Sequence, residues 1–351
     1  MAPPGPAARD PAPGAASGDA AVARALRRER WIGRAVQALL VAAVLAGVAW
    51  LVDQALGTLR ARGVRSGFDF LSQPAGFEIG EGWLDFDAGQ PFWRAFLAGL
   101  ANTVRAAVPA ALLAVALGTL LGIGRLASHR LVRAVCTAYV EALRNVPLLV
   151  QLLMAYFALT QLLPAAADAL QPLPGVWLSK SGLTVPWPVH DAGGGGWSLE
   201  WPERSAFNVS GGAALSPEYL AVVAALGLYT AAFVAEIVRA GIASVPAGQV
   251  DAARALGLAP RQELRLVVLP QALRVIVPAL TGQLLSLVKN SSLAVAVGYP
   301  ELVSVANTSL NSTGRAFECI AVVMAVYLLL SLLIAGGMNR YNARVALRGW
   351  A

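Results

Sequence analysis

Residues 251–270 read DAARALGLAPRQELRLVVLP, from Asp251 to Pro270. The stretch lies between apolar runs at about 217–241 and 271–298. Each run is long enough to cross a bilayer, which takes about 20 mostly apolar residues. A short helix of small residues carrying Asp251 and Arg254 is poorly suited to lipid. It reads as a polar elbow presented to the cytoplasm. Pro246 suits the first position of this helix, where its missing N–H would be unsatisfied anyway. Gly248 to Leu256 can form about two and a half turns, and Gly257 suits a left-handed stop. Pro260 then opens a second short helix, and Pro270 is expected to kink the entry into the next span. Val250, Ala253 and Leu256 share one face, with Asp251 and Arg254 beside it. The small side chains of Ala252 and Ala253 let another surface approach closely.

Composition sets the class around this elbow. The chain has 351 residues, 57% hydrophobic and 13% charged, against about 25% charged in a typical soluble domain. Its apolar residues cluster into six runs at about 33–56, 93–124, 134–163, 217–241, 271–298 and 315–338. This predicts an all-α polytopic membrane protein of about six transmembrane helices. The net charge of +7 does not point to nucleic acid, because the basic residues lie scattered beside the spans.

Their placement orients the chain. Arg24, Arg27, Arg28, Arg30 and Arg34 precede the first span and put the N-terminus in the cytoplasm by the positive-inside rule. Counting spans puts Arg125, Arg130, Arg133, Arg239, Arg254, Arg261 and Arg265 inside, with Arg340, Arg344 and Arg348 in the C-terminal tail. Most acid falls outside: Asp69, Glu78, Glu81, Asp85, Asp87, Asp168, Asp191, Glu200 and Glu203. Arg60, Arg62 and Arg65 run against the rule. The expected organisation is a disordered cytoplasmic tail over 1–30, an additional helix over 31–57 and an outer loop over 58–91. The transmembrane domain follows over 92–340, with an outer loop at 164–216 and the elbow at 246–270, and a cytoplasmic tail over 341–351 ends the chain. The first apolar run is too long for a signal-peptide core and reads as a retained anchor. The outer loop carries Gly193 to Gly196 and several prolines, so it is expected to be extended.

Catalytic signals are missing from the sequence. The glycine run is not followed by Gly-Lys-Ser/Thr, so no nucleotide-cradling loop is present. Cys136 and Cys319 fall in predicted spans as small apolar residues, and His129 and His190 are predicted on opposite sides of the membrane. No residue grouping suggests a nucleophile or a metal site.

The elbow spacing resembles the EAA loop of ABC-importer permeases: E-A-A, three residues, Gly, nine residues, Ile, one residue, Leu-Pro. Ala252, Ala253, Gly257, Leu269 and Pro270 match, while Asp251 stands for Glu and Val267 for Ile. The resemblance runs from about 93 to 345. Gly99-Leu100 with Thr103 is similar to the G-L-x-x-T opening of polar amino-acid permeases. Tyr139 to Gln151, YVEALRNVPLLVQ, is similar to their Y-V-E-x-x-R-x-x-P-L-L-V-Q signature. Ala232 to Ile242 resembles A-Y-x-A-E-I-x-R-x-G-I with Phe233 for Tyr, and Lys289 to Leu293 resembles K-[DN]-[TS]-S-L. Four motifs in order point to the histidine/glutamine-type branch, and the extra first span and long outer loop to its general L-amino-acid permeases. The resemblance implies a type I permease core of five helices with a cytoplasmic coupling helix, in the bacterial inner membrane with both termini cytoplasmic. It also implies a separate ATPase chain carrying ATP and Mg, a second permease chain and a periplasmic amino-acid-binding protein, with no cofactor on this chain. The function implied is amino-acid import by alternating access. A permease of the same architecture for an opine or compatible solute is the alternative, and an ion-coupled carrier a more distant one.

Charged residues inside apolar spans usually face partners or water. Lys289 could receive a substrate carboxylate and Glu236 its ammonium, with Asn290, Ser291 and Ser292 adding hydrogen bonds. Glu141, Arg144, Asn145 and Pro147 form a second group of pathway or structural candidates. Glu141–Arg144 and Glu236–Arg239 equally fit helix-end charges or i,i+3 pairs. Pro109, Pro147 and Pro278 are expected to shape helices rather than bind solute.

Overall fold

A computed structural model describes residues 15–61, 67–190, 196–205 and 207–347, in two compact units divided between Ser66 and Gly67. The first unit is a single helix, α1 (Ala15–Ala61), whose stretch Trp31–Gln54 is the first expected span. The disorder expected over 1–30 is corrected for 15–30, which is helical. This stretch is rich in alanine, the best helix former, with arginine close behind. Residues 1–14, Arg62, Arg65 and Arg348 lie outside the described residues.

The second unit is built on α2 (Phe92–Gly124), α5 (Pro217–Ala243), α8 (Leu269–Asn290) and α10 (Ala316–Leu347). Among the described residues, five helical stretches are long and apolar enough to cross a membrane, or six where the one bent pair counts as a single span. That agrees with the six runs in the sequence. Without a hydrophobic drive between helices in lipid, close contact of small residues holds such helices together. A Cβ on Gly118 would stand 2.6 Å from the Val234 Cβ, and one on Gly122 2.7 Å from the Ala235 carbonyl, so α2 and α5 meet backbone to backbone. Pro109 and Pro278 lie within α2 and α8, which continue through them.

The span expected over 134–163 is corrected to two helices, α3 (Arg130–Asn145) and α4 (Leu148–Phe157). They meet at 102° across Val146-Pro147. Pro147 has no N–H to continue α3. The Gln151 amide donates instead to the carbonyls of Leu143 and Val146 at 2.7 and 2.9 Å, satisfying the end of α3 from the start of α4. This gives the P-L-L-V-Q motif a physical basis.

The extended loop expected over 164–216 is likewise corrected. A four-stranded antiparallel sheet in the order β1-β2-β3-β8 comprises Leu170–Leu173, Val176–Ser179, Gly182–Val185 and Ala213–Leu215. Between β3 and β8 lie two separate two-stranded hairpins, β4–β5 (Trp187–His190, Trp197–Glu200) and β6–β7 (Glu203–Arg204, Val209–Ser210). Trp177 fixes the layers by donating from its indole to the Pro202 carbonyl at 3.0 Å. The strands are two to four residues long, too short for alternation to reveal. Of the glycine run, Gly193 to Gly195 lie outside the described residues.

The segment after Gly67 folds back on the start of α2 through an aromatic cluster of Phe70, Phe77, Phe86 and Phe92. It packs there against α9 (Leu302–Thr313) and against Cys319 of α10. The second unit thus has two ends: the sheet end, with this cluster, and the elbow end, where α5 passes into residues 244–268.

Candidate functional site

The elbow is held between two helix ends that are locked together. Val234 and Val238 of α5 pack on Ala272 and Ile276 of α8, and a Cβ on Gly241 would stand 2.3 Å from Ile276 Cγ1. The Ser244 hydroxyl donates to the Gly241 carbonyl at 2.8 Å and finishes α5. Pro246 caps the next helix, α6 (Ala247–Ala255), rather than opening it. Gly257 then has φ of 76°, the left-handed conformation expected of it. The Gly257 and Leu258 N–H groups donate back to the carbonyls of Arg254 and Ala253 at 2.9 and 3.2 Å.

Ala253 is 3% exposed and is the buried contact of α6. Asp251, Ala252 and Arg254 are exposed around it. Leu256 departs from the expected shared face: it lies at the helix end and is 82% exposed. An apolar side chain is thereby left on the outer surface of the elbow. Arg254 bridges to Glu263 at 3.0 Å, tying α6 to α7 (Pro260–Glu263), and the Gln262 side chain accepts from the Ala259 N–H at 2.9 Å. The second short helix does not stay separate. Pro260–Val297 runs as one helical stretch, widened to a π-turn over Leu264–Val268. In that turn the Leu269 N–H reaches the Leu264 carbonyl. Pro270 follows directly after this widened turn, and having no N–H it adds no donor to the helical ladder there.

The proposed zwitterion clamp does not assemble. Leu287, two residues before Lys289, packs beside Val222 and Leu226 near the start of α5. Glu236 lies beside Val234 and Val238 near its end. The rise of a helix puts these places about 20 Å apart, too far to hold one amino acid's two charges. Glu236 instead accepts from Arg239 Nε at 3.2 Å and from Arg125 across the helix pair. Both readings left open for Glu236–Arg239 resolve to an i,i+3 pair, with Arg125 as an added partner.

Lys289 is exposed and has no ion pair among the described residues. It shares an exposed face of α8 with Ala279, Gly282 and Ser286. The Ser291 and Ser292 hydroxyls donate to the Val288 and Lys289 carbonyls at 2.7 and 2.8 Å. Asn290 is half-buried, lining with Ser291 a narrow seam against Leu148 and Leu152 of α4 and Val222 of α5. Glu141, Arg144, Asn145 and Pro147 are exposed, and Arg144 stacks 5.2 Å from the Phe233 ring.

Sequence reasoning missed a buried polar cluster at the sheet end. Arg105 pairs with Glu81 at 3.0 Å and lies 4.6 Å over the Tyr219 ring. Asn102 donates to the carbonyls of Glu81 and Pro300 at 2.8 and 3.0 Å, and Tyr299 donates to the Asn102 carbonyl at 3.1 Å. Thr103 of the G-L-x-x-T motif accepts from the Leu302 N–H at 3.2 Å, while Gly99 admits the Leu302 backbone. Glu301 is 0% exposed and caps α9 by accepting from Val303 and Ser304. Burial pushes its carboxyl up to about 7, against the downward pull of those two N–H groups. The available signals were Glu81 in an outer segment and Arg105 inside the apolar run at 93–124, but nothing local pairs two residues 24 apart.

Residues 114–346, from the middle of α2 to the end of α10, match the family described as binding-protein-dependent transport system inner membrane component. The chain belongs to that family. It is 39% identical to YhdX of Escherichia coli (strain K12) over 89% of this chain and 93% of that one. It is 36% identical to the general L-amino acid transport system permease protein AapQ of Rhizobium johnstonii, over 88% of this chain and 91% of AapQ. A solved chain from an amino acid ABC transporter crystallised with histidines superimposes with a TM-score of 0.53 at 26% identity. It covers 72% of this chain and 95% of its own length. The family's defining activity is transport, so this chain is a multi-pass membrane transport subunit rather than an enzyme. Likeness to the two relatives extends beyond the family match, which begins only at residue 114.

Proposed function

We propose that this chain is the permease subunit of an ATP-binding-cassette importer that carries amino acids across the bacterial inner membrane. The observation that carries this reading is the elbow: Gly257 takes the left-handed stop, Ala253 is buried, and Asp251, Ala252 and Leu256 are displayed at the spacing of a coupling loop. Small residues beside an exposed leucine suit a cleft on an ATPase subunit, which carries the ATP and Mg. The elbow end faces the cytoplasm, where Arg125, Arg130, Arg133, Arg261 and Arg265 gather. The sheet end faces the periplasm and receives the amino acid from its binding protein. Two permease chains, identical or related, pair around the pathway, and ATPase closure reorients their helices. Purified with its ATPase and binding protein in proteoliposomes, the complex is expected to take up amino acids only with ATP inside. Uptake driven by an ion gradient without the ATPase would overturn the reading.

Orientation is tested separately. A cysteine at Ser198, on exposed β5, should react with an impermeant thiol reagent in cells whose outer membrane is opened. One at Gln262 should react only after the inner membrane is opened. Cys319 is buried and Cys136 half-buried, which limits background labelling. The reverse order would invert the topology.

Lys289 is the group that meets the substrate carboxylate in this scheme. It is an unpaired cation on a small-residue face of α8, and a cation in an apolar span faces a partner or water. A hydrogen bond to a charged group contributes about 1.5–3 kcal/mol. Lys289→Met should therefore lower uptake roughly ten- to a hundredfold, with Lys289→Arg close to the parent. Asn290→Ala, altering a packed seam, should change overall transport without changing the ratio of glutamate to arginine uptake. Full uptake by Lys289→Met would remove this residue from the pathway.

A further inference from the structure

At the elbow end, α2 and α5 meet at one carboxylate, and α3 packs on α5 beside it. Arg125 caps α2 and donates to Glu236 of α5, and Arg239, one turn further along α5, donates to the same carboxylate. Beside this cluster the α2–α5 contact is backbone to backbone, through Gly118 and Gly122. Val140 of α3 is buried there against Ala232 and Ala235, and the Tyr139 hydroxyl donates to the Leu228 carbonyl at 3.0 Å. Only Ser244, Val245 and Pro246 separate α5 from α6. Movement of α6 is therefore carried directly into the end of α5.

Resting on the importer function proposed above, we infer that Arg125, Glu236 and Arg239 form the joint that passes elbow movement from α5 to α2. Glu236 is the positioning residue at its centre. Glycine contacts alone allow two helices to slide along or roll about each other, since dispersion has little direction. A carboxylate held by guanidiniums from both helices fixes register, because charge-assisted hydrogen bonds are directional and stronger than neutral ones. The side chains are one-third exposed or less, except Arg239 at 35%, so solvent screens the cluster only in part. Arg125 lies at the point where α2 gives way to the turn into α3, so α3 is drawn along with α2.

The test uses the full complex with its ATPase and binding protein in proteoliposomes, counting amino acid imported per ATP hydrolysed. Glu236→Gln leaves two guanidiniums facing an amide that cannot hold both. It should retain at least half of basal ATP hydrolysis, while import per ATP falls at least tenfold. Exchanging charges, Arg125→Glu with Glu236→Arg, should restore the ratio to within threefold of the parent, which a packing defect would not do. If Glu236→Gln does not assemble, Arg125→Gln keeps the Arg239 pair and carries the same expectation. An unchanged ratio in an assembled variant, or import and hydrolysis falling in step with no recovery on exchange, overturns the joint. Failure of the importer reading itself is distinguishable, because the parent complex would then import nothing with ATP.

Discussion

Gly257→Val is expected to abolish substrate-stimulated ATP hydrolysis while leaving the permease inserted in the membrane. Gly257 has φ of 76° and ends the elbow helix, with no atom near enough to obstruct an added Cβ. The penalty is therefore conformational. A left-handed backbone costs a non-glycine residue roughly 1–2 kcal/mol, and a β-branched side chain is an outlier there. Relief requires Gly257 to leave that region, which breaks the N–H bonds from Gly257 and Leu258 to Arg254 and Ala253. The helix end would then swing, and the Arg254–Glu263 bridge at 3.0 Å would be pulled apart. None of these contacts belongs to the transmembrane packing, so expression and insertion should stay within twofold of the parent. ATPase co-purification or its stimulation should fall at least tenfold. Gly257→Asn separates strain from chemistry, since asparagine tolerates the left-handed region, and it should keep most of the activity. Normal stimulation in the valine variant would remove the elbow from the coupling path.

How far the sequence reached is explained by the range of the signals involved. Apolar clustering is local, so the spans were legible, as was the elbow, whose proline, glycine and small residues act on their own backbone. Gly257 is such a case: its conformation depends on immediate neighbours. Glu236 is the opposite case. Its i,i+3 arginine is visible in the sequence, but Arg125 lies 111 residues away and only packing brings it in. The distance between Glu236 and Lys289, about 20 Å by helix rise, likewise follows from packing at opposite ends of α5 and not from any local pattern. The bend at Pro147 was legible as a proline, but its angle depends on Gln151 reaching back to the carbonyls of α3. Strands at the sheet end also pair over distance, Gly182–Val185 with Ala213–Leu215 across two intervening hairpins, and no strand is long enough to announce itself. Alanine is a strong helix former, and α1 begins at Ala15, inside the tail expected to be disordered.

Gly118→Ala should prevent the helices from assembling, although a methyl group is the smallest side chain that can be added. Its Cβ would stand 2.6 Å from the Val234 Cβ, 2.7 Å from Val234 Cγ1 and 2.8 Å from the Ala231 carbonyl. Carbon atoms in contact rest at about 3.5–4.0 Å, and both the Val234 Cβ and the carbonyl are fixed to the α5 backbone. Rotating the valine cannot clear them, so α2 and α5 must separate along their contact. Overpacking a well-fitted interior costs typically about 1–3 kcal/mol, and here a backbone shift is added. Monodisperse protein in detergent is expected to fall at least fivefold, and Val234→Ala should not restore it, because the Cβ and the carbonyl remain. Gly124 supplies the control on the same helix. A Cβ there would meet Cys136 Sγ at 2.5 Å, but the Cys136 Cβ only at 3.6 Å. The obstruction is one side-chain atom, so Gly124→Ala should be tolerated once Cys136→Ala removes the sulfur. Size-exclusion yield and protease resistance of the three variants check the contrast. Equal behaviour of Gly118→Ala and Gly124→Ala with Cys136→Ala would mean that α2 and α5 do not meet through Gly118.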